Sequence, residues 1–142
     1  MFTIDASVHI NAYNPAETGF EISRSFLEGV TRLSRTVYSP TLLYVEVASS
    51  VARALNNSER GIIVAQQILH LPGQIWVPLD NQLAEIAGTI GAERKVRGSD
   101  AVYAAVAQQK NTTLVTLDQQ QITRLSSFLT VCQPAEALEM LG

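Results

Sequence analysis

Short β-type runs alternate with stretches of helical periodicity along the whole chain, and that alternation predicts an α/β fold. The expected architecture has three layers, α/β/α, with a mostly parallel sheet of roughly five strands covered by helices on both faces. Two observations support it. The runs Phe2-Thr3-Ile4, Val37-Tyr38, Gln74-Ile75-Trp76-Val77, Leu114-Val115-Thr116-Leu117 and Phe128-Leu129-Thr130-Val131-Cys132 are too short for helices and lie between turn or cap signals. The segments between them carry apolar residues at three- and four-residue spacing.

Taken in order, the first strand begins almost at the N-terminus and ends on Asp5, with Ser7 in the turn into a short helix near Val8–Asn11. Asp5 alone reads equally well as the cap of that helix or as a ligand. His9, with no His or Cys at ligand spacing, reads as a surface or packing residue. After the Asn14-Pro15 and Thr18-Gly19 loop, Ile22, Phe26, Leu27, Val30 and Leu33 give a helical stripe. Ser39-Pro40 reads as a helix start, N-cap followed by first helical position. In the helix it opens, Leu43, Val47, Val51 and Leu55 are expected to face the core, with Glu46, Ser49, Ser50 and Arg53 beside them. Asn56-Asn57-Ser58 ends this helix and caps the next. Asp80 has the context of an N-cap and nothing more.

The stretch from Arg97 to Asp118 is the most informative. Gly98-Ser99 breaks the preceding segment, Ser99 reads as N-cap, and Asp100 falls in a first helical turn where the macrodipole keeps a carboxylate ionised. Ala101, Ala104, Ala105 and Ala107 let that helix pack close to a sheet, and Tyr103 reads as core or edge packing. After the polar Asn111-Thr112-Thr113 connection, a β run ends on Asp118, at the strand end where ligands bind in open α/β sheets. Gln119-Gln120-Gln121 then opens a short helix, and Pro134 begins a last one.

Totals narrow the function classes. A chain of 142 residues, 46% hydrophobic and 16% charged, is expected to be one globular domain over 1–142. The start lacks the basic region of a secretory signal, and no apolar stretch is long enough for a bilayer, so no membrane partner is expected. Cys132 is the only cysteine, which excludes an internal disulfide and fits the reducing cytoplasm. A net charge of -3 argues against broad electrostatic nucleic-acid binding. Arg94, Lys95 and Arg97 form the one basic cluster, read either as cations at a helix C-terminus or as phosphate contacts.

Right-handed crossovers bring the carboxyl ends of parallel strands to one edge, together with the start of the Asp100 helix and the helix carrying Glu46. Asp5, Glu46, Asp100 and Asp118 are therefore expected on one rim. Clustered carboxylates repel, and a divalent cation relieves that repulsion. With oxygen donors and no His or Cys partner, Mg²⁺ or Mn²⁺ is the natural choice. Such an ion suits phosphodiester hydrolysis by metal-activated water, and no Gly-rich phosphate loop, Ser/His/Asp triad or Cys/His nucleophile competes with it.

The ordered set Ile4-Asp5-Ala6-Ser7, the Ser39-Pro40 helix with Glu46, Gly98-Ser99-Asp100-Ala101 and Thr116-Leu117-Asp118 resembles a PIN domain, and the chain looks similar over nearly its full length to VapC-type toxins. The resemblance implies a metal-dependent endoribonuclease. Its acids carry over to Asp5, Glu46, Asp100 and Asp118, and its hydroxyl positions to Ser7 and Thr116. It also implies a homodimer and a small antitoxin whose tail enters the site. The low pI and sparse lysine depart from wide RNA affinity and favour a narrow substrate, contacted by Arg94, Lys95 and Arg97. The rival readings are a receiver-like domain phosphorylated on Asp80, which leaves Glu46 and Asp100 unused, and a catalytically silent PIN-like binding module.

Overall fold

The computed structural model describes all residues, 1–142. Its elements run β1 (Phe2–Ile4), α1 (Ala6–Tyr13), α2 (Phe20–Arg32), β2 (Val37–Pro40), α3 (Leu42–Leu55), α4 (Ser58–Leu69), β3 (Gln74–Val77), α5 (Asn81–Arg94), α6 (Gly98–Lys110), β4 (Thr113–Val115), α7 (Gln119–Leu125), β5 (Val131–Cys132) and α8 (Pro134–Met140). The five strands form one all-parallel sheet in the order β3-β2-β1-β4-β5.

That order places the functional edge. From β1 the chain crosses outward to β2 and β3, then returns to lay β4 on the other side of β1. Successive crossovers thus leave in opposite directions from the β1–β4 pair, which opens a crevice beyond the carboxyl ends of these two strands. Asp5 follows β1, and Thr116 to Asp118 follow β4.

Two apolar clusters cover the faces. On one, Phe2, Ile4, Val37 and Val115 pack under Val8 of α1, Phe26 and Val30 of α2, and Ala137 and Leu141 at the C-terminal end, with Phe2 edge-on to Phe26 at 5.3 Å between ring centres. On the other, apolar residues of α3, α4 and α5 form one cluster with α6, whose residues from Asp100 to Ala107 are all buried. A helix enclosed on every side is a central one, and its alanines let it lie against β1, β2 and β4. No helix is long and apolar enough to cross a membrane.

Several expected boundaries move. Ser39 and Pro40 end strand β2 and do not open a helix; Thr41 takes the N-cap position, and its N–H continues the ladder to Val77 O at 3.0 Å. Proline is tolerated there because a strand end requires no further donor from it. Helix α6 begins at Gly98, with Arg97 at the N-cap position in place of Ser99. Leu55 is exposed while Leu43, Val47 and Val51 are buried. Three steps of four residues rotate a side chain by roughly 120° around a helix of 3.6 residues per turn, so the stripe runs off the core. Likewise Ile22 and Leu33 are exposed, and α2 buries the face of Ser23, Phe26 and Val30. The last strand keeps only Val131–Cys132, since the chain from Ser126 to Thr130 stays in turns. The Asn56 and Asn57 reading holds: Asn56 is left-handed at φ 48°, and Asn57 accepts from Arg60 N.

Candidate active site

Asp5 occupies the N-cap position of α1 yet makes no cap bond. Its carboxylate turns into the crevice, where Oδ2 accepts from Ser7 Oγ at 2.6 Å, Thr116 Oγ1 at 3.1 Å and Gln121 Nε2 at 3.4 Å. The two hydroxyls are themselves fixed by the loop after β4: Ser7 Oγ accepts from Leu117 N at 3.2 Å, and Thr116 Oγ1 from Asp118 N at 3.1 Å. The strand ends thus hold each other in register through Asp5.

Asp118 caps α7, its Oδ1 accepting from Gln120 N at 2.8 Å and Gln121 N at 3.4 Å. Asp100, in the first turn of α6, accepts from Gln121 Nε2 at Oδ1, 2.9 Å, and from Arg97 Nε at Oδ2, 3.0 Å. Arg97 reaches on to Asp118, donating from Nη2 to Oδ2 at 3.0 Å. Glu46, on α3, accepts at Oε1 from the hydroxyl of Tyr103 at 2.7 Å.

One pattern runs through the four acids. Each has one oxygen pinned by neutral donors of the protein: Asp5 Oδ2, Glu46 Oε1, Asp100 Oδ1 and Asp118 Oδ1. The remaining oxygens of Asp100 and Asp118 share the guanidinium of Arg97, and those of Asp5 and Glu46 take no hydrogen bond from the chain.

The acids bear on one another's protonation. Glu46 is raised above the ordinary carboxylate range, first by burial and then by the charges of Asp5 and Asp100, against the hydrogen bond from Tyr103 and the charge of Arg97. Asp100 is also raised, chiefly by burial and further by Asp5 and Asp118, although Arg97 pulls the other way. Arg97 is raised, foremost by its hydrogen bond to Asp100. The Tyr103 hydroxyl is pushed up by burial and by Glu46, so it stays protonated and donates to that carboxylate.

The donor chemistry fits a hard divalent cation: carboxylate oxygens, already oriented by second hydrogen bonds, with no soft ligand among them. As placed, no three acids close on one point at ligand distance. Arg97 stands between Asp100 and Asp118, taking one oxygen of each.

The expected basic cluster does not act as a unit. Arg94 donates to Ser127 Oγ at 2.6 Å and lies over the Phe128 ring, and Lys95 is the left-handed C-cap of α5. Asp80 caps α5, accepting from Leu83 N at 2.8 Å; it follows the edge strand β3, two strands from β1, which puts it roughly 10 Å across the sheet from the acids. It shares no site with Asp5.

Gln121 and the bond from Tyr103 were not foreseen. A signal for the first existed: Asp118-Gln119-Gln120-Gln121 has the spacing of a capping box, in which the fourth residue's side chain is spoken for. Here the amide turns inward to two other acids instead. Tyr103 stands three residues after Asp100 on a buried helix, the spacing that shares a face.

A family model described as the PIN domain matches residues 2–126, and the chain belongs to that family. Solved structures give the same fold. The FitAcB structure from Neisseria gonorrhoeae is 22% identical, covers 94% of this chain and 98% of that one, and has a TM-score of 0.71. VapC20 from Mycobacterium tuberculosis, described as a sarcin–ricin-loop-cleaving toxin, is 16% identical over 87% of this chain and 94% of its own, with a TM-score of 0.72. VapBC2 from Rickettsia felis, solved with a promoter DNA fragment, is 15% identical over 93% and 97%, with a TM-score of 0.70. No curated protein matches the sequence.

Proposed function

We propose that this chain is a single-domain endoribonuclease, dependent on Mg²⁺ or Mn²⁺, that hydrolyses RNA phosphodiester bonds as the toxin of a toxin–antitoxin pair in the cytoplasm. The observation that carries this reading is the arrangement of Asp5, Glu46, Asp100 and Asp118, each with one oxygen pinned by neutral donors and the other either without a hydrogen bond from the chain or shared with Arg97 alone. Family membership supports the nuclease class, and the similar structures, a sarcin–ricin-loop-cleaving toxin and the VapBC2 complex, support the toxin–antitoxin setting.

The residues divide the work. Asp5, Glu46, Asp100 and Asp118 would hold the ion. Ser7 and Thr116 fix Asp5 and tie the ends of β1 and β4 together, and Tyr103 keeps Glu46 turned inward. When bound, the ion supplies the Lewis acidity that neutralises the phosphodiester and activates a water. Of the basic residues, Arg97 would meet a phosphate at the acids, where its guanidinium lies, and Arg94 and Lys95 remain the further candidate contacts. Among all-oxygen ligands Mg²⁺ and Mn²⁺ are not distinguished by donor type. A homodimer and a small antitoxin complete the proposal.

The test is cleavage of a total RNA pool with added Mg²⁺, with EDTA, and by Asp5→Asn. Divalent-dependent cleavage that Asp5→Asn abolishes, with the circular dichroism spectrum kept, is expected. Cleavage undiminished in EDTA, or none from the wild type in either ion, overturns the reading; in the second case, tight association with a partner protein marks the silent binding module.

A further inference from the structure

Arg97 is the one cation bonded to the acids. Its guanidinium donates to Asp100 Oδ2 and Asp118 Oδ2, each at 3.0 Å, and to nothing else. Those two oxygens are the ones that neutral donors leave over, since Gln121 holds Asp100 Oδ1 and the α7 N-terminus holds Asp118 Oδ1. The side chain is 74% exposed, so it lies across the mouth of the crevice and is not locked into the core. Its backbone is extended, φ -65° and ψ 155°, at the N-cap position of α6, outside the helix proper. Swinging the side chain outward therefore breaks two ion pairs at their exposed, guanidinium side and disturbs no packing, while Asp100, 8% exposed, and Asp118, 25% exposed, stay in the crevice. The neighbouring cations do not duplicate it, because Arg94 is held by Ser127 and Phe128.

Resting on the nuclease reading, we propose that Arg97 is the site's own counter-cation, exchanged for the divalent ion: guanidinium and metal take the same two oxygens in turn. Two consequences follow from charge and reach. Loading requires a cation able to displace a two-point ion pair, which disfavours monovalent ions. The displaced guanidinium remains tethered three residues from Asp100, within reach of a phosphodiester drawn to the ion.

Titration of MnCl₂ into the protein by calorimetry, without RNA, tests the exchange. Arg97→Gln is expected to bind Mn²⁺ roughly three- to tenfold more tightly than wild type, the size that loss of two ion pairs made by an exposed guanidinium supplies. Lys95→Gln loses the same formal charge two residues away and is expected to change affinity less than about twofold, which separates local competition from net charge. Arg97→Lys, a single-point cation, is expected to fall between. In a ¹H–¹⁵N spectrum, the Arg97 Nε–H resonance is expected to move on saturation with Mg²⁺. Equal Mn²⁺ affinity in wild type and Arg97→Gln, or an Nε–H resonance unmoved at saturating Mg²⁺, overturns the exchange while leaving the metal site intact. Absence of Mn²⁺ binding in both proteins overturns the nuclease reading along with it.

Discussion

Histidine 9 should make the fold acid-sensitive in a defined window. His9 lies on α1 against Ile4, Leu27, Val30 and Leu71, is 6% exposed, and its Nε2 has no hydrogen-bond partner. Burial lowers its pKa from 6.5 to about 4. Above pH 6.5 the ring is neutral in folded and unfolded chains alike, and it contributes no pH dependence. Between that value and about 4 the unfolded chain binds a proton that the folded chain refuses, so stability falls as pH falls. At about pH 5 the linkage amounts to roughly 2 kcal/mol, rising to about 3 kcal/mol once both states are protonated. Urea unfolding at about pH 7.5 and about pH 5 measures it, in wild type and in His9→Leu. Most other titrating groups are common to both proteins, so the difference of the two pH differences isolates His9. The wild type is expected to lose roughly 2 kcal/mol more than the variant. Equal losses would show that the ring finds a partner or water when protonated, and would refute the reasoning.

Tyr103→Phe keeps the buried ring and deletes the only donor to Glu46, the largest influence lowering that group's pKa. It is expected to cost about 1 kcal/mol in urea unfolding, since Glu46 is only half-buried. It should also weaken Mn²⁺ binding and shift its acid limb to higher pH, both read by calorimetry. Asp80→Ala is expected to lose about 1 kcal/mol of stability through the α5 cap while leaving RNA cleavage unchanged; loss of cleavage would place Asp80 in the chemistry. Gly61→Ala sets a methyl against the Ala48 carbonyl and the Ala52 side chain where α3 and α4 touch, and is expected to lower the melting temperature by an amount equivalent to roughly 1–3 kcal/mol.

Element types were legible in the sequence because each rests on local physics: β runs of two to five residues, helix stripes, caps at Asn57 and Asp80. The errors came where local rules compete. Ser39-Pro40 has the chemistry of a helix start, yet pairing with Trp76 and Val77 draws it into the sheet. Asp5, Asp100 and Asp118 were legible as strand-end and helix-start residues, because a parallel sheet delivers such positions to one edge, whereas Glu46 lies in the second turn of α3 and had only its apolar surroundings to mark it. Their partners were not. The bonds from Gln121 to Asp5 and Asp100 span 116 and 21 residues, and the bond from Tyr103 to Glu46 spans 57. No local periodicity encodes a contact made through the tertiary fold. Arg97 was legible as a cation and not as the one placed on the acids, because the turn at Lys95, φ 59°, decides which of three basic side chains faces the crevice.

The most direct measurement is an anomalous difference map from crystals grown with MnCl₂. A peak is expected among Asp5, Glu46, Asp100 and Asp118, with the Arg97 guanidinium turned out of the crevice. A manganese peak elsewhere on the surface, or none with Arg97 still joining Asp100 to Asp118 under saturating metal, would contradict it.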